Sequence, residues 1–421
     1  MDSRLYWIWL QQVLPAGSRA VSTLLDVFGH AHLVYDATPG EYRKAGLSDD
    51  LCQRLSDKSL DKAHRILNRV LELGDWVLTP EDALYPLCLR HCVAPPAVLY
   101  ARGVMPDLDS VPAVAVVGTR HATREGVREA RALAAGLAAG GAVVVSGGAV
   151  GIDAAVHTGA LDGGGVTIVV MACPLNENYP VENADLRYRV VMSGGVLLSE
   201  FPPDEEYKCD FHIRNRIMAG LSQGVCLAQT PGRSGARITA RLGREYNRDV
   251  FALPGTLSGR RYDGAHKEIQ GGATLVIRAT DILNEYVPMY PNVLDTEAAE
   301  AAQRLVEGQP FRDVAESPKE DGETVKSKRE RVKKTKRVSR RKKEMVETPS
   351  ADLQAVVSTV CPDGASVSAK KVYEVLTEQP QPVDLLAEKA EMPIPILLAA
   401  LTELEMFGCA ANSAGQQYKR T

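Results

Sequence analysis

Three glycine-rich turns are the segments of this chain best suited to bind a ligand. Each turn follows a strand-like run and precedes a helix-like run, so backbone N–H groups at a helix N-terminus are available to an anion. Glycine also lets a ligand approach the backbone closely. One such turn could serve helix–strand packing alone, but three at one edge of a sheet predict an anion-binding surface. The candidate contact residues are Gly118, Thr119 and Arg120 in the first turn, Ser146, Gly147, Gly148 and Gly151 in the second, and Ser234, Gly235 and Thr239 in the third.

A fourth segment combines cations with an aromatic ring. Lys208, Arg214 and Arg216 flank Phe211. Sites for single-stranded nucleic acid combine cations that contact phosphates with an aromatic ring that stacks on a base. The alternative places Phe211 in the core and pairs the arginines with carboxylates, and the sequence leaves both interpretations open.

The elements that must position these residues form an α/β pattern from about residue 80 to 288. Short β-branched runs alternate with alanine-rich helical stretches, which predicts a doubly wound parallel sheet of the Rossmann-like type. In such a sheet ligands bind at the carboxyl ends of the strands, where the three turns lie. The predicted strands are Val114–Val117, Val143–Val145, Thr167–Val170, Val196–Leu198, Val225–Leu227, Val250–Ala252 and Thr274–Ile277.

Three further regions flank this domain. Glycine-broken helices over residues 1–75 predict a small helical domain of the SAM-like or helix-hairpin-helix-like kind. Residues 289–350 lose periodicity and read as a linker. Residues 351–421 show three helical stretches and a hairpin, the outline of a winged helix. Its third helix carries Glu403 and Glu405 but no cation, which favours a protein-interaction role over DNA reading.

Charge is distributed very unevenly along the chain. Lys326–Lys343 holds twelve basic residues and one acidic residue, a local charge of +11, so the remainder carries −15 to reach the net −4. Such a block has almost nothing to bury. Two interpretations stay open: the segment is a solvated linker, or it is a tether that binds a polyanion. The two are compatible with each other.

Composition excludes several classes of protein. No stretch approaches the roughly 18 apolar residues that a membrane span needs, and the N-terminus lacks a secretory signal, so a cytoplasmic protein without membrane association is expected. The 8 cysteines form no C-x-x-C pair, which disfavours a structural zinc site. No cofactor motif is present.

The order of the motifs resembles that of the DNA-processing protein A (DprA, Smf) family. The resemblance extends over about residues 80–286, and the Arg-Asn-Arg-Ile segment together with the Ser-Gly-x-x-x-Thr-Ala turn is its most specific part. The segments that carry it are Gly118-Thr119-Arg120, Ser146-Gly147-Gly148-x-x-Gly151-Ile152-Asp153, Leu198-Ser199-Glu200-Phe201-Pro202, Phe211-x-x-Arg214-Asn215-Arg216-Ile217, Ser234-Gly235-x-x-x-Thr239-Ala240 and Val250-Phe251-Ala252-x-Pro254-Gly255.

This resemblance implies a homodimeric protein that binds single-stranded DNA and helps load RecA recombinase during natural transformation, without enzymatic activity or a cofactor. Arg120 and the Gly147–Gly151 turn would hold phosphates, and Lys208 and Phe211 would contact the strand. Arg214 and Arg216 would shape the same pocket, with Asn215 between them.

The sequence departs from the family pattern at several positions. Relative to the usual residues, the departures are His212 for Pro, Gly148 for Leu, Ala236-Arg237 for Ser-Leu and Gln229-Thr230 for Glu-Ala. Arg237 adds a cation beside the third turn, which would favour nucleic acid if its side chain points outward.

A nucleotide hydrolase is the alternative function. The same scaffold resembles phosphoribohydrolases of the "lonely guy" type, whose Pro-Gly-Gly-x-Gly-Thr loop precedes a catalytic Glu. Here Ala236 replaces that Thr, and no carboxylate follows until Glu245. Asp153 and Glu200 remain as acid–base candidates, but either could instead hold an arginine. We therefore expect binding without catalysis.

Overall fold

The structure is a computed structural model that forms two compact units, one ending before the basic segment and one at the C-terminus. Each unit is considered by itself. The described residues are 2–14, 16–205, 211–309, 367–377, 379, 381–390, 392, 397, 400, 401, 404, 409–413 and 417–420.

Short helices make up the N-terminal segment of the first unit. Their apolar faces share one core with residues of the central sheet, including Tyr100, Met171 and Leu197. Gln11 reinforces this junction, because its Nε2 donates to the Glu200 carbonyl at 2.8 Å and its Oε1 accepts from the Tyr100 hydroxyl at 2.7 Å. The helices are α1 (Arg4–Val13), α2 (Ala20–Phe28), α3 (Ala31–Asp36), α4 (Pro39–Lys44), α5 (Asp49–Arg54) and α6 (Asp61–Glu72).

A nine-stranded sheet organises the first unit. Apolar runs buried on both faces are typical of parallel sheets, and strands β3 to β8 read in this way. The strands are β1 (Trp76–Leu78), β2 (Leu99–Gly103), β3 (Ala113–Val117), β4 (Val143–Ser146), β5 (Thr167–Met171), β6 (Val196–Ser199), β7 (Gly224–Leu227), β8 (Asp249–Ala252) and β9 (Thr274–Leu275).

The strand order is β1-β2-β6-β5-β4-β3-β7-β8-β9. Strands β3 to β9 are parallel, whereas β1 and β2 are antiparallel additions that extend the sheet beyond β6. From β3 the chain moves outward through β4, β5 and β6, then returns to β7 on the other side of β3. The boundary between β3 and β7 is therefore a topological switch point, where doubly wound sheets bind ligands. The predicted fold class is confirmed.

Helices cover both faces of the sheet. Val114 and Val116 of β3 point to one face, towards α8 and α14, while Ala115 and Val117 point to the other, towards α11 and α12. The helices of this region are α7 (Leu87–Arg90), α8 (Arg124–Ala139), α9 (Ile152–Asp162), α10 (Ala184–Met192), α11 (Phe211–Leu221), α12 (Ala236–Glu245), α13 (Asp263–Gln270), α14 (Ala279–Tyr286) and α15 (Thr296–Glu307).

Helix α15 lies inside the region that reads as a linker from sequence. The Asp295 carboxylate caps its first turn by accepting from the Ala298 N–H at 2.9 Å. Ala299, Gln303 and Val306 form its buried face at helical spacing. The Gln303 amide oxygen also accepts from the Ala279 N–H at 2.8 Å, which ties α15 to α14. The described part of this unit therefore includes a helix within the predicted linker and extends to residue 309, and Lys326–Lys343 lies outside the described residues.

The C-terminal unit contains two described helices and a three-stranded sheet of order β10-β12-β11. The predicted third helix lies largely outside the described residues, but Leu397, Ala400, Leu401 and Leu404 within it are buried. The elements are α16 (Val367–Val375), β10 (Gln381–Pro382), α17 (Val383–Ala390), β11 (Ala410–Ser413) and β12 (Gln417–Arg420). In the part of the chain that the structure describes, no helix is long and apolar enough to cross a lipid bilayer.

Candidate nucleic-acid interface

The three glycine-rich turns meet at the carboxyl edge of the sheet. The Thr119 N–H donates to the Gln229 carbonyl at 2.9 Å, which joins the turn after β3 to the segment after β7. The Thr119 carbonyl accepts from the Ile152 N–H at 3.1 Å, which joins the same turn to the start of α9. The backbone of Thr119 thus fixes the relative positions of all three turns.

Glycine is required in the second turn because other groups approach its backbone closely. A Cβ on Gly147 would lie 2.3 Å from Nη1 of Arg214. Gly151 has φ +84°, and a Cβ there would also meet the Thr119 and Arg120 carbonyls at 2.6 Å. Structural packing therefore accounts for both glycines, whether or not the turn also receives an anion.

A small, open pocket with a cavity volume of about 70 Å³ lies at the carboxyl ends of β3, β4 and β5. The second turn and the first residue of α11 both contribute to its wall. Its lining residues are Arg120, Gly147, Ala149, Val150, Met171, Ala172, Cys173, Tyr179, Pro180 and Phe211.

Arg120 and Phe211 are in direct contact at this pocket. The guanidinium carbon of Arg120 lies 4.1 Å from the centroid of the Phe211 ring, a cation–π geometry. The Tyr179 ring lies 6.4 Å from Phe211, centroid to centroid, and is 46% exposed. One exposed arginine and two aromatic rings therefore line the same opening.

Arg214 lies beneath the pocket and is only 5% exposed. Its Nη1 donates to the carbonyls of Gly147, at 2.5 Å, and Val170. Burial raises the pKa of Asp153, an effect that the positive charge of Arg214 partly offsets. Burial lowers the pKa of His157 to about 3, and Arg214 adds to this shift. Arg214 thus stabilises the second turn through its hydrogen bond to the Gly147 carbonyl.

Arg216 is buried on the other side of α11. Its Nη2 forms an ion pair with the Glu200 carboxylate, and its Nη1 donates to the Ala94 carbonyl at 2.6 Å. Arg216 is 5% and Glu200 7% exposed. Of the two interpretations of the arginines, the paired one holds for Arg216, and Glu200 is not among the residues that line the pocket.

The third turn lies beside α11, and its cation is already paired. The Asn215 amide donates to the Gly235 carbonyl at 3.3 Å. Arg237 pairs with Glu268, Nε to Oε1 at 2.7 Å. Burial would raise the pKa of Glu268, but hydrogen bonds from Arg237 and Arg244 outweigh it and hold the pKa below its usual value. Arg237 therefore does not offer an unpaired charge to a ligand.

The sequence-derived site residues fall into two groups. Exposed or half-buried positions occupy the turns and the pocket: Gly118, Thr119, Arg120, Gly151, Phe211, Ser234 and Gly235. Buried positions support them: Ser146, Gly147, Gly148, Arg214, Asn215, Arg216 and Thr239. The Ser146 hydroxyl, for example, donates to the Val116 carbonyl at 2.7 Å. Lys208 lies outside the described residues.

Two residues that sequence reasoning passed over belong to this site. Tyr179 provides the second ring of the pocket, and the Asn183 amide donates to the Gly148 carbonyl at 2.9 Å, which fixes the second turn. Both follow β5 within the segment Asn176–Asn183. An aromatic and amides directly after a buried strand are the signal that could have identified them.

Comparison with known proteins agrees with this architecture. A family model described as DNA recombination-mediator protein A matches residues 76–287, half of the chain. The chain belongs to this family. A second model, the DprA winged helix domain, matches residues 361–416, so the predicted winged helix is confirmed.

Relatives of this family are similar over different parts of the chain. The Smf protein of Synechocystis is 27% identical over 99% of this chain and 98% of its own length. The DNA processing protein DprA of Streptococcus pneumoniae is 40% identical over 49% of this chain and 72% of its own length. The X-ray structure of the S. pneumoniae protein superposes with a TM-score of 0.57 at 31% identity, covering 68% of this chain and 99% of that one.

Proposed function

We propose that this chain is a single-stranded DNA-binding recombination mediator that protects incoming strands and helps load RecA recombinase during DNA uptake. The observation that carries the proposal is the contact of Arg120 with Phe211 at the mouth of the pocket. A cation and a ring in contact suit a phosphate and its neighbouring base, and a ring can stack only on a base that is unpaired. Lys208 would add a second cation three residues before Phe211.

We propose binding without catalysis, because the candidate acid–base carboxylates have structural roles or environments. Glu200 is held by Arg216, and Asp153 is buried with a raised pKa. Glu245, the first carboxylate after the third turn, pairs with Arg241 at 3.5 Å. Since each has a structural environment of its own, we propose no acid–base agent for glycosidic cleavage, and no cofactor.

We further propose a cytoplasmic homodimer. Within the described residues β9, the last strand of the sheet, pairs only with β8, and Leu275 in β9 and Ile277 after it are 47% and 63% exposed. An exposed apolar edge is a ready surface for pairing with a second copy. Replacing Leu275 by Asp should then shift the sedimentation coefficient of the chain to that of a monomer.

The test of the binding function measures fluorescence anisotropy of the full chain with a labelled oligothymidylate and with a duplex of the same length, over a salt series. We expect tighter binding to the single strand at each salt concentration. Phe211→Leu keeps an apolar side chain but removes the ring, so it should weaken single-strand binding by roughly 1–3 kcal/mol and leave duplex binding unchanged.

Leu305→Ala is the matched control, because Leu305 is an exposed apolar residue of α15, away from the pocket lining. Equal affinity for duplex and single strand in the unmodified chain would refute the proposed function. Release of free base from a nucleoside monophosphate by the unmodified chain would support the hydrolase alternative instead.

A further inference from the structure

Four exposed cations lie at the carboxyl edge of the sheet on the far side of the switch point from the pocket. We call them the arginine rim: Arg233 after β7, Arg260 and Arg261 after β8, and Lys267 in α13. None of them belongs to the pocket lining. They are also not among the residues that the family resemblance implicates.

Backbone contacts bring the rim together and connect it to the first turn. Arg261 Nη1 donates to the His121 carbonyl at 3.4 Å, next to Arg120. The Gly264 N–H donates to the Thr230 carbonyl at 2.8 Å, so the loop after β8 packs on the loop after β7. A Cβ on Gly232 would lie 3.8 Å from the Lys267 Nζ. The rim is thus continuous with the pocket through Arg120.

The charges of the rim are not neutralised within the described residues. There, no ion pair involves any of its four cations, although Arg237 and Arg244 nearby both pair with Glu268. A carboxylate close to the rim, that of Glu129, is engaged by the Tyr262 hydroxyl at 2.5 Å. A cluster of exposed cations without ion pairs attracts a polyanion.

The loop that carries Arg260 and Arg261 is held in an unusual conformation. Gly259 has φ +80° and Arg260, a non-glycine residue, has φ +56°. A positive φ is ordinary for Gly259, but it is uncommon at a non-glycine residue such as Arg260, and such backbone is concentrated at functional sites. In the same loop Leu257 is 87% exposed, so an apolar side chain accompanies the cations at the surface.

We propose that the arginine rim binds the sugar–phosphate backbone of a second stretch of the same single strand whose base occupies the pocket. The inference rests on the proposed function, because Arg120 would be the point at which the strand passes from one subsite to the other. The pocket alone would then bind a short oligonucleotide, and the rim would contribute only to longer ones.

The test compares the full chain with the variant Arg260→Gln/Arg261→Gln, using oligothymidylates of about 4 and about 16 nucleotides, the range that single-strand sites commonly span. Both proteins should bind the short strand equally. For the long strand, the slope of log affinity against log salt should be shallower in the variant by about 1.4, since each phosphate contact contributes roughly 0.7. Both proteins contain the basic segment Lys326–Lys343, so its contribution to the salt dependence cancels in the difference between their slopes.

Arg241→Gln/Arg304→Gln is the matched control, because it also removes two surface arginines, both of which pair with a carboxylate within their own helix. It should leave the slope unchanged. An unchanged slope for Arg260→Gln/Arg261→Gln, or an equal loss of affinity for a duplex, would overturn the rim as a strand subsite. Failure of the proposed function is recognised separately, because it appears in the unmodified chain as the lack of any preference for the single strand.

Discussion

Arg120 covers one face of the Phe211 ring, with its guanidinium carbon 4.1 Å from the ring centroid. The two residues belong to different segments, the turn after β3 and the first position of α11. The cation and the ring of the candidate site are therefore coupled before any ligand arrives. A base that stacks on this face of Phe211 must first displace Arg120, which then becomes available to a phosphate.

This coupling can be measured without a ligand. In a double-mutant cycle of Arg120→Gln and Phe211→Leu, the free energies of unfolding should deviate from additivity by about 0.5–1 kcal/mol, the usual strength of an exposed cation–π contact. Urea denaturation of the four proteins supplies the values. Additive effects would show that the two side chains do not interact in solution.

Gly147→Ala should destabilise the chain. The new Cβ would lie 2.3 Å from Nη1 of Arg214, whose guanidinium is buried and fixed by two carbonyls. Overpacking of this kind costs about 1–3 kcal/mol, measurable as a lower midpoint of thermal unfolding. Gly235→Ala is the control, because a Cβ there meets no atom within 4 Å and φ is −61°. Equal midpoints for the two variants would contradict this packing.

Glu200→Gln should leave the buried charge of Arg216 without its partner. Removing one member of a buried ion pair costs about 3 kcal/mol or more in the free energy of unfolding. Glu300→Gln, which removes a carboxylate paired with Arg278 and Arg304 at the surface, should cost no more than about 1 kcal/mol. Chemical denaturation distinguishes the two, and similar costs would mean that the Arg216–Glu200 pair is solvated.

His157 should make the chain sensitive to acid. Burial lowers its pKa from 6.5 to about 3, so between these values the unfolded chain binds a proton that the folded chain does not. The contribution to stability is therefore lost as pH falls below 6.5, by about 2 kcal/mol at pH 5. His157→Gln should remove this part of the pH dependence, while His64→Gln, at an exposed position of α6, should retain it. Parallel stability curves for the two variants between pH 7 and 5 would argue against a buried neutral His157.

Deleting Lys326–Lys343 tests the two interpretations of the basic segment. If the segment binds DNA as a diffuse cationic tether, the deletion should flatten the salt dependence of binding while the preference for single strands persists. Anisotropy titrations over a salt series measure both quantities. An unchanged slope would assign the segment to a solvated spacer.

The parallel strands β3 to β8 could be predicted because each contains a short apolar run that is buried. Strands β1 and β2 could not, since β1 has three residues and β2 ends in Arg102 and Gly103. Their strand conformation depends on pairing, such as that of Tyr100 with Ser199 of β6. Such pairing between distant segments leaves no local periodicity.

The site shows the same division. The glycine turns were visible from their spacing, but the contact of Arg120 with Phe211 joins segments that are far apart in sequence. The arginines of α11 resemble a solvent-exposed basic cluster when read locally. Only the positions of the Gly147 carbonyl and the Glu200 carboxylate, both set by the fold, determine that Arg214 and Arg216 are buried.

The junction at Gln11 has a consequence for how this protein denatures. Gln11 of α1 hydrogen-bonds to the Glu200 backbone and the Tyr100 hydroxyl, and helices α1 to α6 share a core with Met171 and Leu197. We therefore expect that the helical segment does not fold independently of the sheet. A truncation that begins at residue 76, where the family match starts, would expose one face of the sheet to water. Amide hydrogen exchange in α1 and β6 should accordingly proceed through one cooperative opening rather than two.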